Sequence, residues 1–244
     1  MTTTLVCEVQ RRSPIAVIAL YGTLDQNSAV RAVVALRDCL ADAPSALLID
    51  IGHLRIADAW SLRPVVSLFD EVRAWPRTHI GICGASAANA AMFDTPTPDM
   101  YADVNAGMKV ALALPVVPRR TLVLAPDADA PAVARDFVTT ICDEWGLNRI
   151  AKLTTLIASE LVTNAVIHAR TPSVMALQRG DGELHVSVQD NDPRPMYRPA
   201  PGATGAHNGD HDRGLLILDA MADAWGTLPT ASGKVVWATV DLPE

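Results

Sequence analysis

The chain has 244 residues and a formal net charge of −7; half of its residues are hydrophobic and 19% are charged. A length of this order holds one large domain or two small ones with a sizeable buried core. The acidic balance argues against a general nucleic-acid binder, which needs basic side chains to neutralise phosphates.

The first long apolar run, residues 15–21, follows Arg11 and Arg12. It falls far short of the roughly 20 apolar residues that cross a bilayer. The polar Gly22-Thr23-Leu24-Asp25 that follows is unlike a leader cleavage site. Cys7, Cys39, Cys83 and Cys142 are scattered with no CxxC pair. That usage suits reduced thiols in the cytoplasm.

Residues 14–21 and 46–51 are short and apolar and read as buried strands. Between them, residues 28–40 place Val30, Val33, Val34, Leu36 and Leu40 at helical spacing. The alternation repeats with Leu62, Val65, Val66, Phe69 and Val72, and then with the strand 79–83. Such alternation predicts an α/β domain over 1–115. Residues 84–102 read as loop-like, around Thr95-Pro96-Thr97-Pro98, and 104–114 as a short helix or strand. Residues 115–120 read as a short linker.

A second domain is expected over 119–244. It starts with a strand at 121–125 and a helix that Asp127 caps and Gly146 stops. A second helix is expected over 149–169, then a hairpin of strands 174–178 and 184–189. Residues 193–213 are rich in Pro, Gly, His and Asp, which predicts a long functional loop. His207 and His211, four apart in it, lack a rigid frame for a metal. The chain closes with a helix at 215–224, a strand near 225–228, a turn at Ser232-Gly233 and a strand at 235–242.

The most informative segment is the helix around Glu160-Leu-Val-Thr-Asn164-Ala-Val-Ile-His168. Residues four apart on a helix differ by only about 40° around its axis, so Glu160, Asn164 and His168 form one row. The row lies among Leu153, Leu156, Ile157 and Leu161, the arc expected to face inward. A buried carboxylate and amide demand a polar partner, since leaving them unpaired costs several kcal/mol, of order 2–7. Magnesium with bound phosphates meets that demand, because Mg²⁺ takes oxygen ligands and the Asn164 side chain has one. Glu160, one turn earlier, can accept a proton from a hydroxyl or water. Further on, Asp190 ends a strand, and Asp212-Arg213-Gly214-Leu215 opens a helix whose free N–H groups suit phosphate.

In this order the three segments resemble the ATP-binding boxes of the GHKL (Bergerat-fold) superfamily, most closely the anti-sigma-factor serine kinases. The resemblance covers about residues 119–243, including Arg213-Gly-Leu-Leu-Ile-Leu-Asp-Ala-Met-Ala-Asp-Ala-Trp225-Gly and Gly233-Lys-Val-Val-Trp237. It implies an α/β sandwich that binds ATP and Mg. Glu160 matches the general base, Asn164 the magnesium ligand, and Asp190 the adenine-binding aspartate. His168, Arg213, Gly214 and Leu215 are expected near the nucleotide, under a lid over 196–213. Two departures stand out: the Asp box continues Asn191-Asp192-Pro193-Arg194-Pro195 where glycines are usual, and Asp212 stands where the lid's last segment has glycine.

The first half resembles a STAS domain, the fold of anti-sigma-factor antagonists. Gly22-Thr-Leu-Asp25, and Leu48-Ile-Asp50 followed by Asp58, carry that likeness over about residues 5–114. The phosphate-accepting position of that family matches Trp60, which has no hydroxyl. Ser61 has two readings, a shifted phosphate acceptor or, preferred, the N-cap of the next helix, since Pro64 is tolerated in a first turn.

Two functions follow from the resemblance. One is a protein serine/threonine kinase acting on a STAS antagonist in trans. The other is an anti-sigma binding protein in which ATP is a structural or switching ligand and the STAS-like half is a pseudo-antagonist. The expected partners are a sigma factor or an antagonist protein, and the chain's own first domain in cis through Trp60. A homodimer is a further option; direct DNA binding and a membrane are not expected. No phosphoacceptor helix pair precedes the ATP-type domain, which disfavours a sensor histidine kinase.

Overall fold

A computed structural model describes residues 4–11, 14–72, 75, 78–93, 98–194 and 210–243; for 210–215 it describes the backbone alone. The chain divides into two compact units, Met1–Val116 and Val117–Glu244. Both are α/β, the class expected.

In the first unit, β1 (Val6–Arg11) pairs antiparallel with β2 (Ile15–Leu24) at one edge of the sheet. From β2 the sheet runs through β3 (Ala46–Asp50) and β5 (His79–Cys83) to β6 (Asp99–Tyr101), all parallel, and β4 (Leu54–Ile56) adds to β2. Parallel strands are covered on both faces, which is why residues 15–20 and 46–49 are apolar without alternation. Ile15, Val17, Leu48 and Cys83 pack with α4 (Val104–Ala113). Their neighbours Ala16, Ile18 and Leu47 project the other way and are equally buried. α1 (Ala29–Ala41) and α2 (Ala59–Glu71) pack against each other, with α1 also on β2. Within 84–102, where a loop was expected, a short α3 (Ala87–Ala90) and β6 form. Thr95-Pro96-Thr97 lies outside the described residues.

The start of α2 differs from expectation. Asp58, extended at φ −162° and ψ 167°, is the N-cap, and its carboxylate accepts from the Ser61 N–H at 2.8 Å. Ser61 is fully buried and donates its hydroxyl to the same oxygen at 2.8 Å. A carboxylate caps as well as a serine hydroxyl does, so the helix begins earlier and Pro64 lies inside it.

In the second unit the sheet is antiparallel, in the order β10-β11-β9-β8-β7. These strands are β7 (Arg119–Leu124), β8 (Ser173–Arg179), β9 (Glu183–Asp190), β10 (Ala224–Pro229) and β11 (Lys234–Asp241). α5 (Ala130–Glu144), α6 (Asn148–Asn164) and α7 (Asp210–Met221) accompany it. Ile157, Ala158, Leu161 and Val162 of α6 share a core with Met175, Leu177, Val186, Val188, Val236 and Ala238 of the sheet. Asn148–Ala169 is long and apolar enough by composition to cross a membrane, but half of that stretch is buried within the protein.

Asp127 was expected to cap α5, but the N-cap is Asp129, which makes no side-chain cap bond; the Asp127 carboxylate instead braces the turn ahead of it, accepting from Asp129 N at 3.1 Å and Ala130 N at 3.0 Å. Gly146 ends α5 at φ +69°, a left-handed conformation that glycine adopts without a Cβ penalty.

Candidate functional site

The buried side of α6 is Ile150, Thr154, Ile157, Ala158, Leu161, Val162 and Asn164. Leu153 and Leu156 were expected in that arc, yet Leu153 is half-buried and Leu156 is 36% exposed. The inward arc is rotated toward Thr154 and Ala158, both fully buried. Thr154 can be buried because its hydroxyl donates to the Ile150 carbonyl at 3.0 Å.

Asn164 is 5% exposed, and its Nδ2 has no hydrogen-bond partner among the described residues. An amide enclosed this way loses its hydration without recovering it, a cost of about 1–3 kcal/mol. Glu160, one turn earlier and half-buried, has no hydrogen bond or ion pair among the described residues. The helix therefore presents a carboxylate and an amide nitrogen one turn apart, neither with a partner among the described residues.

The α-helix stops at Asn164, where a continuous helix to 169 was expected. Ala165–Ala169 is a π turn, closed by Arg170 N–H to Ala165 O at 3.2 Å, with Arg170 at φ +53°. Each residue of a π turn advances less around the axis than in an α-helix. His168 thus leaves the four-residue drift assumed for the row. Such bulges recur where a helix must re-aim a few side chains. The half-buried His168 offers its carbonyl oxygen to Arg194 Nη2 at 2.8 Å.

Asp190 ends β9 and is 3% exposed. Its Oδ1 accepts from the Asp192 N–H at 2.9 Å and from Lys234 Nζ at 3.1 Å. Lys234, opposite Asp190 in the β9–β11 register, is itself buried and also approaches Asp192 O at 3.2 Å and Asp192 Oδ2 at 3.4 Å. Arg194 Nε reaches Asp192 Oδ1 at 2.9 Å and Oδ2 at 3.1 Å. The Arg194 side chain, ahead of Lys234 in effect, holds the Asp192 carboxyl well below the usual carboxylate range. The residues that replace the expected glycines thus form a compensated cluster of two carboxylates and two cations.

Gly233 precedes this cluster. A Cβ there would meet the Asp190 carbonyl oxygen at 2.0 Å and Asn191 Cα at 2.7 Å. Sequence reasoning read Gly233 as a turn residue and passed over Lys234 as a site residue. A lysine directly after that turn, opening a strand whose next five residues are apolar or small, was the available signal.

Arg213, Gly214 and Leu215 lie in α7, which starts at Asp210, five residues ahead of the expected Leu215. The four N–H groups that a helix leaves unpaired at its start are therefore those of 210–213, ahead of the turn expected to meet phosphate. The expected lid over 196–213 falls outside the described residues up to 209, His207 included.

In the first unit, Asp25, Asp50 and Asp58 lie at or beyond the carboxyl ends of parallel strands β2, β3 and β4, the end of such a sheet where ligands bind. Asp25 accepts from the Ser28 hydroxyl at 2.8 Å and the Ser28 N–H at 2.9 Å, which lowers its pKa. Trp60 is 65% exposed on the first turn of α2, with the Arg63 guanidinium 4.7 Å from its ring centroid. Beside them a cavity of about 510 Å³ is lined by Leu62, Val66, Ser67 and Met92 among others.

Comparison with known proteins gives the following. No curated protein matches the chain. Among solved structures, RsbS of Moorella thermoacetica, in a variant form, is 20% identical with a TM-score of 0.38, covering 43% of this chain and 94% of that one. An anti-sigma factor antagonist from Mycobacterium paratuberculosis is 18% identical with a TM-score of 0.38, covering 44% and 94%. The RsbU and RsbW domains of a Mycobacterium tuberculosis protein are 22% identical with a TM-score of 0.36, covering 51% of this chain and 32% of that one. Residues 124–240, a span that takes in the α6 row, Asp190 and the Gly233-Lys234 turn, match the model of the histidine kinase-like ATPase domain.

Proposed function

We propose that this chain is an ATP-binding regulator of the anti-sigma type, acting in the cytoplasm on transcription through a sigma factor or a STAS antagonist. The observation that carries the reading is Asn164: a nearly enclosed amide whose nitrogen has no partner among the described residues, one turn from a carboxylate equally without one there, on the core helix of an ATPase-type domain. An ATPase-type domain implies ATP. The residues present fit a magnesium–nucleotide: Asn164 offers an amide oxygen to the metal, Asp190 a carboxylate oxygen to the base, and the α7 start free N–H groups to phosphate. A bound magnesium ion would draw off charge that develops on the transferred phosphoryl group.

Within this reading Glu160 is the general base of a protein serine/threonine kinase. The hydroxyl oxygen of the target attacks the γ-phosphorus, the bond to ADP breaks, and the hydroxyl proton passes to the Glu160 carboxylate. The charge compensation of Asp192 by Arg194 and Lys234 is compatible with it, because it leaves no uncompensated Asp192 carboxylate beside the Asp190 acceptor. Trp60 favours a second reading, in which the chain binds its partner without transfer. The first half lacks a hydroxyl at that position and offers a broad exposed ring, a common anchor in protein interfaces. In that reading it is a pseudo-antagonist that competes in cis with outside partners, its short tether supplying a high effective concentration.

Titration calorimetry with Mg-ATP on the wild type and Asn164→Ala tests the first claim, and a phosphotransfer assay with STAS proteins tests the second. Binding that requires Asn164, followed by transfer, supports the kinase. Tight binding without transfer to any of them selects the pseudo-antagonist reading. Failure of the wild type to bind Mg-ATP overturns both.

A further inference from the structure

Lys234 is a lysine inside a strand whose other residues up to Val240 are apolar or small, and its side chain is 5% exposed. Burying an ammonium is costly unless its donors are all met. An ammonium has three N–H donors. Three oxygens stand within reach of Nζ: Asp190 Oδ1 at 3.1 Å, Asp192 O at 3.2 Å and Asp192 Oδ2 at 3.4 Å. Two of these oxygens, Asp190 Oδ1 and Asp192 O, accept hydrogen bonds from Lys234 and the third is an ion-pair contact, so the protein itself compensates the buried ammonium.

The consequence falls on Asp190. Its Oδ1 is doubly engaged, by Lys234 Nζ and by the Asp192 N–H. Among the described residues nothing donates to its Oδ2. One oxygen of a carboxylate held on its other side is a directional acceptor, and rotation of the group would break both bonds at Oδ1. The same cluster reaches the metal-side helix: Arg194 grips both oxygens of Asp192 and the carbonyl of His168, in the turn that continues from Asn164. Two negative and two positive side chains make the whole network neutral.

We propose that Lys234 is a positioning residue for base specificity, presenting Asp190 as a single fixed acceptor for a purine carrying an exocyclic amine, while Asp192 and Arg194 tie that acceptor to the helix end that holds Asn164. The inference rests on the nucleotide site proposed above. A base with a carbonyl in place of the amine meets a carboxylate that cannot turn away. Sites built to hydrogen-bond a polar group reject analogues that cannot pair with it. Without Lys234 the carboxylate can rotate, and the rejection weakens.

The test is calorimetric titration of the full chain with Mg-ATP and with Mg-ITP, which differ at the base by amine against carbonyl. Wild type should prefer ATP by about tenfold or more, the scale that one unpaired buried polar group sets. In Lys234→Met the ATP affinity should fall while ITP affinity holds, so the preference collapses toward unity. In Arg194→Met, a change at a side chain 72% exposed, both affinities should fall together with the preference kept. Equal affinities in the wild type, or a Lys234→Met protein with native circular dichroism and an undiminished preference, overturn the proposal. Should Lys234→Met fail to fold, Arg194→Met decides: unchanged affinity for both nucleotides overturns it. Binding of neither nucleotide by the wild type instead refutes the nucleotide site itself, a separate outcome.

Discussion

An alanine at position 233 would place its Cβ 2.0 Å from the Asp190 carbonyl oxygen, 2.7 Å from Asn191 Cα and 2.9 Å from the Asp190 carbonyl carbon. All three atoms are backbone, so no side chain can swing aside. A carbon needs about 3.5 Å from such neighbours, so β11 would have to shift from β9 by more than 1 Å at its first residues. That shift opens the Lys234–Asp190 pairing, held by one bond of 3.1 Å, and the Thr230–Gly233 turn bond at 2.9 Å. Overpacking of this kind costs about 1–3 kcal/mol, and the unsettled buried ammonium pushes Gly233→Ala to the upper end of that range. For a domain of this size about 2–3 kcal/mol lowers the melting temperature by roughly 6–12 °C. The assay is thermal unfolding by circular dichroism, together with Mg-ATP titration. A melting temperature within about 2 °C of wild type, a shift worth well under 1 kcal/mol, would show that the turn relaxes freely and that the close approach does not hold Asp190 in place.

Four further outcomes are expected. Asn164→Ala should abolish Mg-ATP binding in calorimetry while leaving stability equal or raised by up to about 1 kcal/mol, because an enclosed amide nitrogen without a partner is removed. Asp58→Ala should lower stability by about 1 kcal/mol in urea unfolding, the usual worth of an N-cap. Burial, aided by nearby Arg119, pushes the His185 pKa down to about 3. An unfolded histidine takes up its proton near pH 6.5, so between that pH and 3 the unfolded chain binds more protons and stability must fall as pH falls, by up to about 1.4 kcal/mol per unit. Urea midpoints from pH 7 to pH 4 should show that slope, and His185→Gln should flatten it. Trp60→Ala, at an exposed ring, should change stability by less than about 0.5 kcal/mol yet weaken capture of the partner in a pull-down with purified sigma factor or antagonist; unaltered capture would remove Trp60 from the interface.

Much of the architecture was readable along the chain because it depends on local pattern. Continuous apolar runs marked β2 and β3, and 3.6-residue spacing marked α1, α2, α5 and α6, since side-chain direction repeats with backbone geometry. The Glu160–Asn164 pair followed from the same periodicity. What escaped is what depends on partners distant in sequence. β1 and β4 are an edge strand and a three-residue strand, too weakly patterned to stand out before β2 is there to pair with them. The π turn at Ala165–Ala169 breaks a pattern that reads as unbroken helix; its end is held by Arg194, 26 residues beyond His168. The inward arc of α6 turned from Leu156 toward Thr154 and Ala158 because the elements packed on the helix, α5 above all, choose which face is covered, and those partners are distant in pattern from α6 itself. Lys234 drew no role from its neighbours in sequence, and only the β9–β11 register sets it opposite Asp190, 44 residues away, where two carboxylates make its burial tolerable. Periodicity can say that a residue points inward; which charge waits for it there is decided when the strands pair.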